Sequence, residues 1–152
     1  MTSADHLIER LQLAPHPEGG WYRETWRAEP DNEGRARGTA ILFLLKSGEA
    51  SHWHKVDADE LWLWQDGDPL ELSIAQTDIG PVRKVTLGRD IADGQCLQGM
   101  IPAGAWQAAS APPAPQADHG YTLVSCIVVP GFDFAGFVLA APGWEPGKKE
   151  QS

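Results

Sequence analysis

Residues 48 to 67 read GEASHWHKVDADELWLWQDG, and this stretch combines metal-capable side chains with the alternation typical of β-strands. In an extended strand successive side chains point to opposite faces, so His52 and His54 are predicted to share one face. A polar turn follows at residues 56 to 59, and Glu60 then begins a second alternating run. If the two runs pair as a hairpin, the carboxylate of Glu60 returns to the side of the two imidazoles. The segment therefore predicts a site made of two histidines and one acid on adjacent strands.

Three further segments accompany this pattern in chain order. Residues 16 to 24 read HPEGGWYRE, residues 129 to 134 read VPGFDF, and residues 102 to 104 form a P-x-G motif with Gln107 where a histidine is expected. Together with the H-x-H pair and Glu60, these segments resemble the cupin superfamily, and within it the fifth cupin domain family. The resemblance implies an all-β double-stranded β-helix, the cupin jelly roll, usually dimeric and similar in fold to sugar-nucleotide epimerases. It implies far less about the reaction, because this fold hosts many chemistries.

The composition favours one domain of ordinary size. The chain has 152 residues, enough for a hydrophobic core without cross-links. We assign residues 1 to 140 to a single cupin domain and residues 141 to 152 to a flexible C-terminal tail. The formal charge of −9 opposes attraction to phosphate backbones, which argues against nucleic acid as a partner. Because there is no apolar signal core at the N-terminus and no apolar run of membrane-spanning length, we expect a cytoplasmic protein with no membrane partner.

The order of elements is predicted from apolar spacing and turn residues. A short N-terminal helix, capped at residue 2 or 3, is followed from Trp21 onward by strands separated by Gly, Pro, Asp and Asn. The candidate strands are residues 21–27, 39–46, 52–56, 60–64, 70–77, 83–87, 98–101, 106–109, 122–129 and 134–140. The runs at 40–45 and 123–129 are apolar on both faces, as expected for strands buried between two layers or within a dimer.

One interpretation of the site is a metal centre. His52, His54 and Glu60 supply two imidazoles and one carboxylate, a set that suits a divalent transition metal such as Fe, Mn, Ni or Zn. Gln107 is a candidate fourth ligand, although its neutral carboxamide donates less electron density than an imidazole. A metal-dependent oxygenase or lyase would follow from this interpretation.

The alternative interpretation needs no metal. His54 acts as a general base, oriented by the carboxylate of Glu60 or of Asp59, because histidine exchanges protons near neutral pH and a carboxylate stabilises its charged form. The resemblance to sugar-nucleotide epimerases implies an acid–base route of this kind. We expect a substrate that is sugar-like or otherwise hydroxylated, and anionic.

Substrate-binding residues are predicted from the faces that the strands present. Trp62 and Trp64 share the face of Glu60 and would form an aromatic wall, unless they simply pack in the core. Arg23 and Thr25 share a face of the first long strand, where Arg23 could bind an anion or form a salt bridge within the protein. Gln107 completes the predicted set.

The sequence leaves three functions open. The first is an isomerase or epimerase acting through His54 and Glu60, the second is the metal-dependent enzyme, and the third is a ligand-binding module without turnover. In each, the partner is a small molecule, and a homodimer is expected from the two-faced apolar strands.

Overall fold

The fold is described for residues 2 to 148 of a computed structural model. Ser3 caps the single α-helix by accepting a hydrogen bond from the backbone N–H of His6 at 3.1 Å. Three single 3₁₀ turns accompany eleven strands in the described part of the chain. In chain order the elements are α1 (Ala4–Arg10), β1 (Ala14–Pro15), β2 (Trp21–Arg27), β3 (Thr39–Lys46), β4 (Ala50–Val56), β5 (Asp59–Gly67), β6 (Leu70–Ala75), β7 (Val82–Leu87), a turn at Ile91–Asp93, β8 (Gln98–Ile101), β9 (Trp106–Ser110), a turn at Ala114–Gln116, β10 (Tyr121–Val129), a turn at Phe134–Gly136 and β11 (Phe137–Leu139).

The strands form two antiparallel sheets. One has six strands in the order β1-β2-β3-β10-β5-β8, and the other has five in the order β11-β4-β9-β6-β7. Several neighbours, such as β3 with β10 and β4 with β9, are distant in sequence, as in a jelly roll in which the chain crosses between layers. The predicted all-β jelly roll with a short N-terminal helix is therefore confirmed.

The core lies between the sheets because every long strand turns alternate residues inward. Phe43, Trp62 and Val124 from the larger sheet pack with Leu70 and Leu72 from the smaller one. Each of these five side chains is at most 1 % exposed. A second apolar cluster forms where α1 covers part of the outer face of the larger sheet, around Leu44.

The chain remains in contact with the domain beyond residue 140, where the sequence predicts a flexible tail. The Trp144 ring lies 4.5 Å from the ring of Trp106, measured between centroids, and the backbone N–H of Gly147 donates to the carbonyl of Asp78 at 2.8 Å. Residues 141 to 148 are thus held against the smaller sheet, and residues 149 to 152 lie outside the described residues. In the part of the chain that the structure describes, no helix is long and apolar enough to cross a membrane.

Candidate functional site

A cavity of about 320 Å³ opens between the two sheets. Its floor is made of buried acidic and imidazole side chains, and its mouth is made of exposed charged and aromatic ones. The volume falls at the small end of the range for small-molecule sites. The lining residues are His16, Glu18, Tyr22, Glu24, Arg27, Thr39, Ile41, His54, Val56, Glu60, Val128, Phe132, Asp133 and Phe134.

His54 and Glu18 form a buried ion pair on the cavity floor. The Nε2 atom of His54 lies 2.8 Å from Oε2 of Glu18, and Nδ1 of the same ring lies 2.7 Å from the carbonyl oxygen of His52. Both neighbours accept hydrogen bonds, so a ring that satisfies both carries two protons and a positive charge. His54 is therefore held as an imidazolium.

A tight turn places Glu18 beside β4. The residues after it, Gly19 and Gly20, have φ angles of 106° and 78°, which side chains rarely tolerate. A Cβ atom on Gly19 would also collide with the carbonyl oxygen of Ala50. The backbone N–H of His52 then donates to the carbonyl of Glu18 at 2.7 Å, which fixes the turn against the strand.

Glu60 is held by a chain of hydrogen bonds from the core. The indole N–H of Trp62 donates to Oε1 of Gln107 at 2.9 Å, and Nε2 of Gln107 donates to Oε1 of Glu60 at 2.9 Å. An indole nitrogen only donates, so it fixes which end of the Gln107 amide faces Glu60. One oxygen of Glu60 is thereby occupied by an N–H donor.

The three charged groups of the floor shift one another's pKa values. Burial lowers the pKa of His54, but the charge and hydrogen bond of Glu18 and the charge of Glu60 outweigh it and raise the pKa to about 9. Burial raises the pKa of Glu60 to about 7, with His54 opposing and Glu18 adding to the rise. Burial also raises the pKa of Glu18, but the charge and hydrogen bond of His54 lower it by more, so the pKa lies below its usual range. Near neutral pH, Glu60 is therefore the floor group that exchanges protons most readily.

His16 is a second imidazole of the cavity, in a neutral state. Its Nδ1 atom accepts the backbone N–H of Glu18 at 3.1 Å, so the neutral ring carries its proton on Nε2. Burial lowers its pKa, with Glu18 opposing and His54 adding to the shift. Its ring lies 4.5 Å from that of Tyr22 and 6.5 Å from that of Phe132, measured between centroids. Within the described residues, Nε2 has no hydrogen-bond partner.

The mouth carries a second ion pair. Nε of Arg27 lies 2.7 Å from Oε1 of Glu24, and Nη2 lies 3.1 Å from Oε2, so the guanidinium is held by both oxygens. Asp133 lies on the neighbouring loop between Phe132 and Phe134, and its Oδ1 atom accepts the backbone N–H of Ala135 at 3.0 Å. The mouth is thus both charged and aromatic.

The structure separates the two histidines that alternation places together. The pairing of β4 with β9 shifts by one residue between Ser51 and His54, which is a β-bulge. The bulge breaks the alternation, so His54 faces the cavity while the ring of His52 points outward, with Nε2 2.9 Å from the carbonyl oxygen of Ala141. The predicted shared face of His52 and His54 is therefore wrong.

A second bulge changes the residues that β2 sends into the cavity. The pairing of β2 with β3 shifts between Glu24 and Trp26, at Thr25. Arg23 pairs with Leu42 on the outer face and donates to Gln12 at 3.3 Å, and Thr25 is exposed beside the carbonyl of Ala40. Neither lines the cavity, contrary to expectation. Tyr22 and Glu24 face inward instead, and the bulge adds Arg27 to the same face.

The predicted tryptophan wall lies in the core. Trp62 is 1 % exposed and packs edge-on against Phe43, with ring centroids 5.8 Å apart. Trp64 donates its indole N–H to the carbonyl of Asp68 at 3.0 Å, and it packs against the core away from the cavity lining. Tyr22, Phe132 and Phe134 provide the aromatic surface of the cavity.

The predicted metal ligands do not form a donor set. His52 faces away, both nitrogens of His54 are bonded to acceptors, and Gln107 turns its N–H rather than its oxygen toward Glu60. A protonated imidazole has no lone pair for a metal. Among residues 2 to 148, no three His, Cys, Asp or Glu side chains are arranged to hold a metal ion. The residues therefore do not fit Fe, Mn, Ni or Zn.

Sequence reasoning brought together His54, Glu60 and Gln107 and missed the other groups around them. His16 and Glu18 lie in the HPEGG run, and Phe132, Asp133 and Phe134 lie in the VPGFDF run. Both runs carried the family resemblance, and no side chain of either was assigned to the site. A family motif rich in chemically active side chains was the available signal that these segments meet at a site.

Comparison with known proteins agrees with the resemblance. A family model described as "Cupin superfamily (DUF985)" matches residues 5 to 140. The chain belongs to this cupin family. It is 31 % identical over 149 residues to the protein YML079W of Saccharomyces cerevisiae, a match that covers 88 % of this cupin and 73 % of the yeast protein.

Solved structures show the same architecture. A hypothetical protein from Leishmania major has a TM-score of 0.83 and 37 % identity, covering 94 % of this cupin and 90 % of that chain. Protein SO0799 from Shewanella oneidensis has a TM-score of 0.84 and 36 % identity, covering 93 % and 86 %. Oxalate decarboxylase from Bacillus subtilis has a TM-score of 0.59 and 14 % identity, covering 82 % of this cupin and 29 % of the enzyme, a likeness of fold alone.

Proposed function

We propose that this cupin is an acid–base enzyme of isomerase or epimerase type, which moves a proton on a small hydroxylated carbonyl compound. The observation that carries the proposal is the Glu60 carboxyl group. It is 7 % exposed at the cavity floor, held at one oxygen by Gln107, with a pKa raised to about 7. A carboxylate with such a pKa is suited to remove and return a proton at neutral pH.

The base is assigned to Glu60 and not to His54, because the two groups differ in what surrounds them. Both nitrogens of His54 face acceptors, so the ring has no free lone pair with which to take a proton. Its charge instead stabilises the ionised form of Glu60 and of Glu18. His54 is therefore a positioning and electrostatic residue in this proposal.

The chemistry requires no cofactor. Glu60 takes the proton from the carbon next to the carbonyl, the C–H electron pair forms the carbon–carbon double bond, and the carbonyl pair moves to oxygen as an enolate. The Nε2–H group of His16 is a donor for that oxygen, since Nδ1 is already bonded to Glu18. Return of the proton to the former carbonyl carbon, while the proton of the neighbouring hydroxyl passes to the enolate oxygen, gives the isomer. Protonation of the original carbon on its opposite face by water, with Glu60 releasing its proton to solvent, gives the epimer.

The experiment follows proton exchange with solvent. A panel of aldoses, ketoses and hydroxylated keto acids is screened for thermal stabilisation, and each binder is then incubated with the enzyme in D₂O and followed by ¹H NMR. We expect deuterium at the carbon next to the carbonyl. Glu60→Gln should retain binding and lose exchange by about 100-fold or more. Saturable binding without exchange in the natural protein would identify a ligand-binding module and overturn the enzymatic proposal.

A matched control is Glu71→Gln. Glu71 lies on the outer surface and pairs with Lys84 at 3.1 Å, in a contact that is half exposed. The exchange rate of this variant should equal that of the natural protein. A fall as large as that of Glu60→Gln would mean that the loss does not arise at the cavity.

We also propose that the protein is a homodimer formed through the outer face of the six-stranded sheet. A row of apolar residues crosses five strands in register on that face: Trp26, Ala40, Ile127, Leu61 and Met100. Trp26 and Met100 are 52 % and 48 % exposed at the two ends of the row. A contiguous apolar row of this kind favours burial against a second copy of the chain.

A further inference from the structure

The carboxylates of the cavity outnumber its cations. Four acids line it, and each of the two cations among its lining residues already has an acid as partner: His54 with Glu18 and Arg27 with Glu24. Glu60 on the floor and Asp133 at the mouth remain without an ion-pair partner of this kind. The cavity therefore carries excess negative charge at both levels.

Asp133 has one carboxylate oxygen without a hydrogen bond, and its charge acts on the nearby guanidiniums of Arg27 and Arg35, whose pKa values it helps to raise. Its Oδ1 atom accepts the backbone N–H of Ala135, and Oδ2 has no hydrogen-bond partner within the described residues. Arg27, the cation of the mouth, is bound bidentately by Glu24 and also donates to the carbonyl of Phe132 at 3.3 Å. Two acids and one paired guanidinium thus surround the opening.

Aromatic rings flank the same opening. Phe132 and Phe134 meet edge to face, with centroids 4.8 Å apart and planes 85° apart, and Phe134 is 53 % exposed. Tyr22 lines the cavity from β2. The faces of aromatic rings attract cations, and ammonium groups are bound where such rings and carboxylates meet.

We propose that the cavity selects a small hydroxylated ligand that carries a protonated amine, of which an amino sugar is the type. The ammonium group lies at the mouth between Asp133, Glu24 and the phenylalanine rings, and the carbonyl end reaches Glu60. This rests on the proposed function for the role of Glu60, and it reverses the charge of the substrate expected from the sequence. Arg23, the predicted site for an anion, lies outside the cavity.

The net charge of the whole chain also favours a cationic ligand over an anionic one. A protein of formal charge −9 attracts small cations and repels small anions at moderate ionic strength. An anionic ligand would also have to displace Glu24 from Arg27 or Glu18 from His54 to find an unshared cation. Displacing Glu18 would leave a carboxylate without its partner in the buried floor, which is unfavourable. The Arg27 pair is exposed, so an anion there would gain little over the contact it replaces.

The test compares ligands of one shape and different charge. 6-Amino-6-deoxy-D-glucose, D-glucose, 6-acetamido-6-deoxy-D-glucose and D-glucuronate are titrated into the natural protein by calorimetry at two ionic strengths. The amino sugar should bind at least about fivefold more tightly than glucose, with glucuronate weaker still, and the difference should shrink at the higher salt concentration. Equal binding of the four, no binding of the amino sugar, or tighter binding of glucuronate would each overturn the proposal.

Asp133→Asn isolates the charge, because an asparagine keeps the oxygen that caps Ala135. We expect the preference for the 6-amino sugar over glucose to fall about fivefold while the affinity for glucose stays unchanged. Asp93→Asn, on an exposed 3₁₀ turn outside the cavity lining, is the matched control and should leave the preference intact. A preference that survives Asp133→Asn would place the ammonium elsewhere and refute the assigned position.

The outcomes separate this inference from the proposed function. If the 6-amino sugar is preferred but no ligand exchanges deuterium, the ligand class stands and the enzymatic proposal fails. If a neutral or anionic ligand exchanges deuterium and the 6-amino sugar does not bind, the enzymatic proposal stands and the ligand class fails.

Discussion

The Nε2 atom of His54 lies 2.8 Å from Oε2 of Glu18, and the two side chains are only 2 % and 7 % exposed. Residue 18 belongs to the turn before β2 and residue 54 to β4 of the other sheet, so the contact ties the two layers together at the cavity floor. Removing one partner of a buried ion pair leaves the other charge without compensation.

Glu18→Gln should therefore destabilise the protein at pH 7 by about 3 kcal/mol, measured by urea unfolding. The pKa of His54 should also fall from about 9, because its first opposing charge is removed, and NMR titration of the ring would record this. Glu71→Gln, which breaks the exposed pair with Lys84, should cost less than about 1 kcal/mol. Similar losses in the two variants would contradict a buried, mutually stabilising pair.

The unfolding free energy should decrease between pH 6.5 and pH 9. The folded-state pKa of His54 is raised above its ordinary value of 6.5 to about 9, so its stabilisation is complete below pH 6.5 and is lost as the pH rises through 9. Glu60, raised from 4.5 to about 7, contributes in the same direction over a lower range. The expected loss is on the order of 3 kcal/mol for His54. Thermal unfolding across this range measures it, and a flat profile would mean that His54 is not held as a cation.

Gln107→Leu should remove both hydrogen bonds of the relay from Trp62 to Glu60. The indole N–H of Trp62 would be left buried without an acceptor, at a cost of about 2 kcal/mol, and the pKa of Glu60 should rise above about 7 because a donor to its charged form is lost. Chemical denaturation and the pH profile of deuterium exchange measure the two effects. Gln98→Leu on the exposed side of β8 should change neither, and a pH profile unaltered in Gln107→Leu would show that Gln107 does not tune Glu60.

Gly19→Ala should destabilise the protein by about 3 kcal/mol for two reasons. Residue 19 has a φ of 106°, which alanine rarely adopts, and the new Cβ would collide with the carbonyl oxygen of Ala50. Gly34→Ala is the matched control, because Gly34 has a φ of 86° but open space around its Cβ position. It should lose about 1 kcal/mol. Equal losses, compared by thermal unfolding, would mean that backbone conformation and not the contact with β4 sets the requirement at residue 19.

The double variant Trp26→Glu/Met100→Glu should be monomeric. It places a charge at each end of the apolar row, and burying those charges in a dimer would be unfavourable. Light scattering after gel filtration measures the mass, and the natural protein should show twice the mass of one chain. Ile79→Glu changes an 83 % exposed residue outside the row and should leave the dimer intact. A monomeric natural protein would refute the interface.

The strands were predictable because their signals are local. Residues 21–27, 39–46 and 98–101 have the predicted bounds, since alternation and glycine, proline or aspartate turns define their ends. The structure moves the last strand to Phe137–Leu139, because Phe134–Gly136 forms a 3₁₀ turn after Asp133.

The site was harder to predict because face assignments depend on unbroken alternation. One extra residue in β2 and one in β4 reverse the faces of Arg27 and His52 relative to a regular strand, and no residue type announces either bulge. Glu18, the partner of His54, also lies 36 positions before it, and no local pattern indicates that the two residues are in contact. Local patterns predict the strands, whereas long-range packing decides which side chains come into contact.

The cavity draws its groups from the turn before β2, from β2, β3, β4, β5 and β10, and from the loop after β10. No fragment that begins after residue 16 or ends before residue 134 would contain all of them, and the pairing of β10 with β3 and β5 brings the final loop to the others. Contacts so far apart along the polypeptide form late, after the slower search for long-range strand partners. In refolding experiments, ligand binding should therefore be detected only for the completely folded protein and not for partly folded species.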